Sequence, residues 1–184
     1  MNESERRSAY LQALGIDQWI SRRAQAVVEI SNQQADWMVV GDLPSAEEDQ
    51  GEPFSGAARQ LLDAMLAAIE VSVESVLMMH SIPCRHSSDH EATGTEAHHG
   101  LAYWQQQIER VRPRIILAFG SMAAQSLLGT DLAIGELRGR VHEWGAQKLP
   151  LVVTYHPAHL LQNPGDKRKA WEDLKLARSA VAQR

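Results

Sequence analysis

The stretch RPRIILAFGSMAAQSLLG, from Arg112 to Gly129, decides the fold class. After Pro113 the apolar run RIILAF predicts a buried strand that stops at Gly120. The residues SMAAQSLLG then predict a helix with Ser121 as its N-cap and Gly129 at its end. A strand, a glycine turn and a helix in direct succession are typical of α/β proteins.

Segments on both sides of this stretch have the same character. The runs ADWMVV (35–40), ESVLMMH (74–80) and LPLVVTYHP (149–157) predict three further strands. Helical spacing of apolar residues predicts helices over 54–69, around 102–111 and from Asp166 onward, the last with Trp171, Leu174, Ala177 and Val181 pointing inward. We therefore expect a three-layer fold with a central, mainly parallel four-stranded sheet, and ligand-facing loops after Gly41, His80, Gly120 and His156.

The chain divides into two parts in this interpretation, an N-terminal arm and connector (1–33) and an α/β domain (34–184). The arm contains YLQALGIDQWISRR, an apolar segment that is too short to be stable as an isolated helix. Such a segment is typical of chains that become ordered on a partner, although it can also pack on its own domain. The predicted partner-binding residues are Leu11, Leu14, Ile16, Trp19, Arg22 and Arg23.

Composition excludes several classes of protein. The net charge of −5 disfavours a strong autonomous DNA-binding protein. No apolar run is long enough to span a membrane, and the charged start MNESERRSAYLQ is unlike a signal peptide, so we expect a cytoplasmic protein without a membrane partner. The single cysteine, Cys84, excludes both an internal disulfide and a cluster held by four thiolates of this chain.

A polar loop after the second predicted strand is rich in histidine. His80, His86, His90, His98 and His99 lie near Cys84 in sequence and raise the possibility of a zinc site. The Ser, Asp and Gly residues around them favour a solvated loop instead. We therefore predict no metal site.

Three motifs together resemble the uracil-DNA glycosylase superfamily, in particular its iron-sulfur-containing bacterial and archaeal branch. They are GDLPSAEEDQGEPFSGAARQLL (41–62), the stretch 112–129 with LRG at 137–139, and TYHPAHLLQNPGDKRKAWEDL (154–174). The resemblance implies the glycosylase fold over about residues 36–178. It places Asp42 where the branch has a catalytic acid, Phe54 where an aromatic ring stacks on the base, and His156 where a histidine steadies the departing uracil.

The same resemblance shows departures from the branch. His80 occupies the position of the asparagine that reads the uracil edge in that branch. The branch has four cysteine ligands, whereas this chain has one cysteine. These losses predict no cofactor and a vestigial base pocket formed by Gly41, Asp42, Phe54, His80 and His156. Each of the three main residues also has a structural interpretation: His156 can bond to a neighbouring turn, Phe54 can belong to the core, and Asp42 can cap a turn.

The arm also resembles the start of the psi subunit of the bacterial DNA polymerase III clamp-loader complex. The similar residues are Leu11, Leu14-Gly15-Ile16, Gln18-Trp19 and Arg22-Arg23, together with VVGDLP (39–44). This resemblance implies a non-catalytic adaptor in DNA replication that links the clamp-loader ATPase subunits to the chi subunit, and indirectly to single-strand-binding protein and DNA. The alternative is a cluster-free uracil or damaged-base glycosylase of base excision repair that works through Asp42 and His156.

Overall fold

The computed structural model of the chain describes residues 35–42, 54–81 and 104–183. All of them lie in one unit that spans Asn32–Arg184. The predicted partner-binding segment lies outside the described residues, as do Cys84 and the histidines from His86 to His99. The described part of the chain therefore does not test the structure predicted for those residues.

A single five-stranded sheet forms the middle layer. Its strands are β1 (Trp37–Gly41), β2 (Val76–His80), β3 (Ile115–Phe119), β4 (Val141–Trp144) and β5 (Leu149–Thr154). Their order across the sheet is β2-β1-β3-β5-β4. The four strands β2, β1, β3 and β5 are parallel, and β4 pairs with β5 in the antiparallel direction.

The predicted α/β class is confirmed, and the count of four strands is wrong by one. The missed strand, β4, has the sequence VHEW and lies at an edge of the sheet, where exposed and half-buried residues alternate. Every residue of β1, β3 and β5 is buried, as the apolar runs predict. An edge strand buries too little to show such a run.

The helices cover both faces of the sheet. They are α1 (Gly56–Ala68), α2 (104–111), α3 (Ser121–Leu128), α4 (Ile134–Leu137), α5 (Pro157–Gln162) and α6 (Lys167–Ala182), with 3₁₀ turns at Val73–Ser75 and Pro164–Asp166. In the parts of the chain that the structure describes, no helix has the length and apolar character needed to cross a membrane.

The main core lies between the sheet and the helices α1 and α6. Leu62 and Leu66 of α1 and Leu174 and Ala177 of α6 belong to one buried cluster with alternate residues of β1 and β3. The intervening residues of those strands point to the other face. Helix α3 packs against β1 and β3, and the Trp104 indole of α2 donates a hydrogen bond to Ser126 of α3, 2.9 Å away.

Trp171 departs from the predicted core. Its neighbours Ala170, Leu174 and Ala177 form the buried stripe of α6, whereas Trp171 is 39 % exposed. One residue on a helix turns the side chain by about 100°, which is enough to move Trp171 to the margin of the stripe. The predicted inward direction of Trp171 is therefore wrong.

A buried ion pair fixes the segment between α4 and β4. Arg138 binds the Asp173 carboxylate of α6 through two hydrogen bonds of 3.0 and 2.9 Å, and the Gly139 N–H donates to the same carboxylate at 3.0 Å. The Asp173 side chain has no exposed surface. Burial raises the pKa of Asp173, while its hydrogen bonds and the Arg138 charge oppose that rise.

This geometry predicts a large difference between two Arg→Met variants. Arg138→Met leaves the Asp173 carboxylate buried without its charge partner, so we expect the free energy of unfolding to fall by roughly 3–5 kcal/mol. The control Arg59→Met removes the exposed pair between Arg59 and Asp63 within α1 and should change it by less than about 1 kcal/mol. Urea unfolding measures both, and equal losses would contradict a structural role for the buried pair.

Candidate active site

The carboxyl ends of the four parallel strands meet at one edge of the sheet. Gly41 of β1 lies beside His80 of β2 and Phe119 of β3, and Phe119 lies beside Thr154 of β5. His156 follows β5 by two residues. This edge is where open parallel sheets bind ligands, and all five residues of the predicted base pocket are found around it.

The Asp42 carboxylate, which follows β1, caps α3, the helix that follows β3. Its Oδ1 accepts a hydrogen bond of 2.7 Å from the Ala123 N–H, and the N–H groups of Ser121 and Met122 also bind the carboxylate. The N-cap position of α3 is Gly120, which has no side chain of its own to offer. Asp42 therefore takes the place of the predicted Ser121 cap, and Ser121 is the first helical residue.

Burial and hydrogen bonding act on the Asp42 carboxylate in opposite directions. Burial raises its pKa, whereas the three backbone N–H groups lower it, and the net pKa lies above the usual value for aspartate. The positive end of the α3 dipole lies at the same place. The carboxylate is thus a fixed negative charge whose oxygens are partly committed to the helix.

Gly120 makes this contact possible in two ways. Its φ of 105° lies in a region that favours glycine. A Cβ atom at this position would also overlap the Asp42 carboxylate. The glycine that ends the strand in the sequence pattern is therefore the residue that admits Asp42 to the end of α3.

His156 is the N-cap of α5. Its Nδ1 accepts a hydrogen bond of 3.2 Å from the Ala158 N–H, so the neutral ring carries its proton on Nε2. Burial lowers the pKa of His156 to about 4, with a smaller contribution from charge on the neighbouring His80. At neutral pH the ring is therefore an uncharged hydrogen-bond donor.

Phe54 covers the centre of the site. Its ring stacks on His156 with 5.1 Å between ring centroids and 16° between planes, and it contacts Phe119 edge-on at 5.9 Å. A Cβ atom on Gly41 would overlap the same ring. Phe54 is 6 % exposed, so in this structure it is a core residue as well as the neighbour of His156.

His80 has one unsatisfied ring nitrogen at this edge. Its Nδ1 lies 3.5 Å from the backbone oxygen of Asp42, a long contact in which the carbonyl accepts. Its Nε2 is buried, and within the described residues it has no hydrogen-bond partner. His80 keeps one buried nitrogen free in the neighbourhood of His156.

Sequence reasoning did not single out Tyr155. Its ring stacks on His159 at 5.0 Å, and the Arg138 guanidinium and Lys169 ammonium lie 5.5 and 6.0 Å from its centroid. Asp166 binds both His159 and Lys169, at 3.0 and 2.9 Å. The available signals were its position next to His156 and the run of basic residues that follows.

The described ranges contain no group of three or more His, Cys, Asp or Glu side chains arranged to hold a metal ion. His80, the one histidine of the predicted loop that the structure describes, faces the Asp42 backbone and His156.

Comparison with known proteins agrees with the glycosylase resemblance over most of the chain. The model of the uracil DNA glycosylase superfamily matches residues 28–175. A type-4 uracil-DNA glycosylase of Archaeoglobus fulgidus is 34 % identical over 154 residues, which cover 79 % of this chain and 77 % of that protein. Type-4 uracil-DNA glycosylases of Saccharolobus solfataricus and Thermotoga maritima are each 30 % identical, over 88 % and 86 % of this chain and 79 % and 84 % of theirs.

These relatives overturn the predicted replication adaptor. The psi-subunit resemblance depended on a short N-terminal segment and one turn, whereas the similarity to the type-4 glycosylases extends over 154 residues. The predicted psi-like function, its clamp-loader ATPase and chi partners and the placement in DNA replication are therefore wrong. The absence of the asparagine and of three cysteines does not predict loss of activity, because it says nothing about the remainder of the site.

The Asp42 contact generates a prediction for Gly120→Ala. The added methyl group collides with the carboxylate, so we expect Asp42 to leave the end of α3 and the free energy of unfolding to fall by more than about 2 kcal/mol. The control Gly135→Ala adds a methyl group to α4, where no atom lies within 4 Å, and should be neutral or slightly stabilising. Thermal unfolding compares the two, and a neutral Gly120→Ala would refute this role for the glycine.

Proposed function

The chain belongs to the uracil DNA glycosylase superfamily, and we propose that it removes uracil or a related damaged base from DNA by hydrolysing the bond between base and sugar. The observation that carries the proposal is the presence, at one edge of the sheet, of the half-buried Asp42 carboxylate and a neutral His156 donor. DNA that carries the base is then the macromolecular substrate, and base excision repair is the process served.

The reaction separates charge, and the two side chains fit its two halves. As the C1′–N1 bond breaks, its electron pair leaves with the base and the sugar gains oxocarbenium character; water then bonds to C1′ and releases a proton. A fixed carboxylate stabilises the cationic sugar, and a donor aimed at the base oxygen stabilises the anionic base.

Asp42 is better suited to electrostatic stabilisation than to removing a proton. Its Oδ1 accepts a hydrogen bond from the Ala123 N–H, and the positive end of the α3 dipole stabilises its negative charge, which makes it a weaker base. The negative charge nevertheless remains beside the strand edge without a cationic partner in the described residues. We assign to the Asp42 carboxylate the stabilisation of the sugar cation and the orientation of the attacking water.

His156 donates from the neutral state in this proposal. With Nδ1 occupied by the Ala158 N–H, only Nε2–H is free to reach a base oxygen. A neutral donor does not transfer its proton to the departing base, so the base leaves as a hydrogen-bonded anion. The burial that lowers the His156 pKa to about 4 also strengthens such a hydrogen bond.

The space between Phe54 and His156 does not admit the base. Two rings with centroids 5.1 Å apart in a stacked arrangement leave no space for a third ring between them. The Nε2–H group of His156 lies at the edge of its ring, so a base that binds this donor approaches that edge and not the stacked face. Phe54, two residues before α1 and with a φ of 63°, fixes the other face of the His156 ring.

An iron-sulfur cluster does not fit the donor set of these 184 residues. Four thiolates hold such a cluster, and Cys84 is the one cysteine in the sequence. No step of the proposed reaction involves a cluster. In place of a cluster, the packing of β1, β3 and β5 against α1, α3 and α6 positions Asp42 and His156.

Uracil excision tests the proposal directly. The full chain should convert a single-stranded oligonucleotide with one uracil into an abasic product, detected by alkaline cleavage. We expect Asp42→Asn and His156→Leu each to slow single-turnover excision by roughly 100-fold or more, because each removes stabilisation of one developing charge. Asp63→Asn in α1 and His142→Leu in β4, neither of which belongs to the predicted base pocket, are the matched controls. No abasic product at enzyme excess would refute uracil excision.

The His156 protonation state gives a separate prediction. Since its pKa is about 4, the ring stays neutral from pH 8 to pH 6, and kcat/KM for uracil excision should not rise over that interval. A charged imidazolium donor with an ordinary pKa near 6.5 would raise kcat/KM more than tenfold over the same interval. Initial rates at constant ionic strength distinguish the two. At acid pH we expect activity to fall as the Asp42 carboxylate takes up a proton, and because burial raises its pKa this should happen at a higher pH than for an ordinary aspartate.

A further inference from the structure

We infer that Tyr155 is a positioning residue for the proposed reaction, because its ring, stacked on His159 of α5, fixes the direction of the His156 side chain. The inference rests on the proposed function, since His156 is the donor assigned there to the departing base. Tyr155 directly precedes the N-cap of α5, and it acts on that N-cap residue and not on the substrate.

The place of Tyr155 in the chain gives it control over the start of α5. Two residues, Tyr155 and His156, connect β5 to α5, and His156 has the extended backbone of an N-cap, with φ of −63° and ψ of 140°. A side chain that precedes an N-cap and packs on the start of the helix fixes the angle at which the chain enters. Tyr155 packs in this way on His159, with 5.0 Å between ring centroids and 20° between planes.

His159 is held by further contacts, so it is a fixed support for the Tyr155 ring. The Asn163 amide donates to its Nδ1 at 3.3 Å, and in the neutral ring its Nε2–H then donates to the Asp166 carboxylate at 3.0 Å. Asp166 also binds Lys169 of α6 at 2.9 Å. The His159 ring therefore ties α5 to the start of α6.

Two cations lie near the Tyr155 ring. The Arg138 guanidinium is 5.5 Å and the Lys169 ammonium 6.0 Å from the ring centroid, distances at which cation–π attraction acts. Arg138 is itself fixed by the buried Asp173 carboxylate. Groups from α5, from α6 and from the connection between α4 and β4 thus meet at a half-buried ring that lies outside the main core cluster. This arrangement suits a ring that holds a turn in place.

The turn matters because His156 can stabilise the departing base only when its Nε2–H points at it. A displacement of about 1 Å in such a contact can cost on the order of 10²-fold in rate. Without the Tyr155 ring the entry into α5 is less fixed, the hydrogen bond from the Ala158 N–H to His156 Nδ1 weakens, and the His156 ring can adopt either tautomer. The chemical step should then slow while DNA affinity stays the same.

Single-turnover excision from the uracil oligonucleotide tests this expectation with the full chain. Tyr155→Leu should lower the maximal rate roughly tenfold or more and leave the enzyme concentration at half-maximal rate unchanged. Tyr155→Phe keeps the ring and should retain the wild-type rate, whereas His159→Ala removes the opposite ring and should act like Tyr155→Leu. Trp171→Leu, which removes an exposed aromatic ring of α6, is the matched control.

A double-mutant cycle shows whether Tyr155 acts through His156. In a chain that already carries His156→Leu, adding Tyr155→Leu should change the rate by less than about twofold, because no donor remains to be positioned. Two residues that act independently would instead give multiplied losses.

Nitrogen-15 NMR of the histidine rings gives a measurement that does not depend on excision. The His156 signals are identified by their absence in His156→Leu. At neutral pH the wild-type chain should show one protonated and one bare nitrogen for this ring. In Tyr155→Leu the two signals should move toward each other as the tautomers exchange, and in Tyr155→Phe they should stay apart.

The outcomes separate this inference from the proposed function. Converging His156 signals, with a rate loss that disappears in the His156→Leu chain, support it. Unchanged His156 signals in Tyr155→Leu, a rate loss that persists without His156, or weaker DNA binding at an unchanged maximal rate overturns it, whatever happens to the Tm. If the wild-type chain excises no uracil, the proposed function fails, and the NMR signals alone decide whether Tyr155 orients His156.

Discussion

The contact between the Asp42 carboxylate and the first turn of α3 is the constraint on which the strand edge depends. It joins the end of β1 to a helix that follows β3, and it needs a glycine at position 120 because any side chain there would occupy the same space. The three backbone N–H groups fix the direction of the carboxylate, and its partial burial limits competition from water. The position of the negative charge is thus set by the fold rather than by a flexible side chain.

His156 is held by the same device at the other side of the sheet edge. Both residues follow strands and both accept from the N–H groups at the start of a helix, α3 for Asp42 and α5 for His156. These hydrogen bonds do more than stabilise the helices. For Asp42 they favour the charged form, and for His156 they determine which ring nitrogen keeps the proton. The hydrogen bonds that cap the helices are therefore the same ones that favour the charge on Asp42 and set the tautomer of His156. A structural role and a functional role for these residues are not alternatives.

The sequence predicted the parts of the fold that burial controls. The buried strands β1, β3 and β5 appear as apolar runs, and the strand ends locate Gly41, His80, Gly120 and His156 at one edge. Contacts between distant segments were not predictable in this way. Nothing in the local pattern shows that Asp42 caps α3, 81 residues away, or that Tyr155 lies between His159 and basic side chains. The functional prediction was wrong for a different reason, since two missing residue types do not amount to the loss of a whole activity.

Phe54 shows how a closed site can remain accessible to a base. Its ring is buried against Gly41, Phe119 and His156, yet its backbone has a φ of 63°, which is unfavourable for a residue with a bulky side chain. The stacked contact with His156 and the edge-on contact with Phe119 offset this backbone strain, so packing holds the Phe54 ring in place against its own backbone preference. Because a stacked ring covers the face of His156 and not the edge that carries Nε2–H, the half-buried donor stays open at that edge while its orientation is fixed.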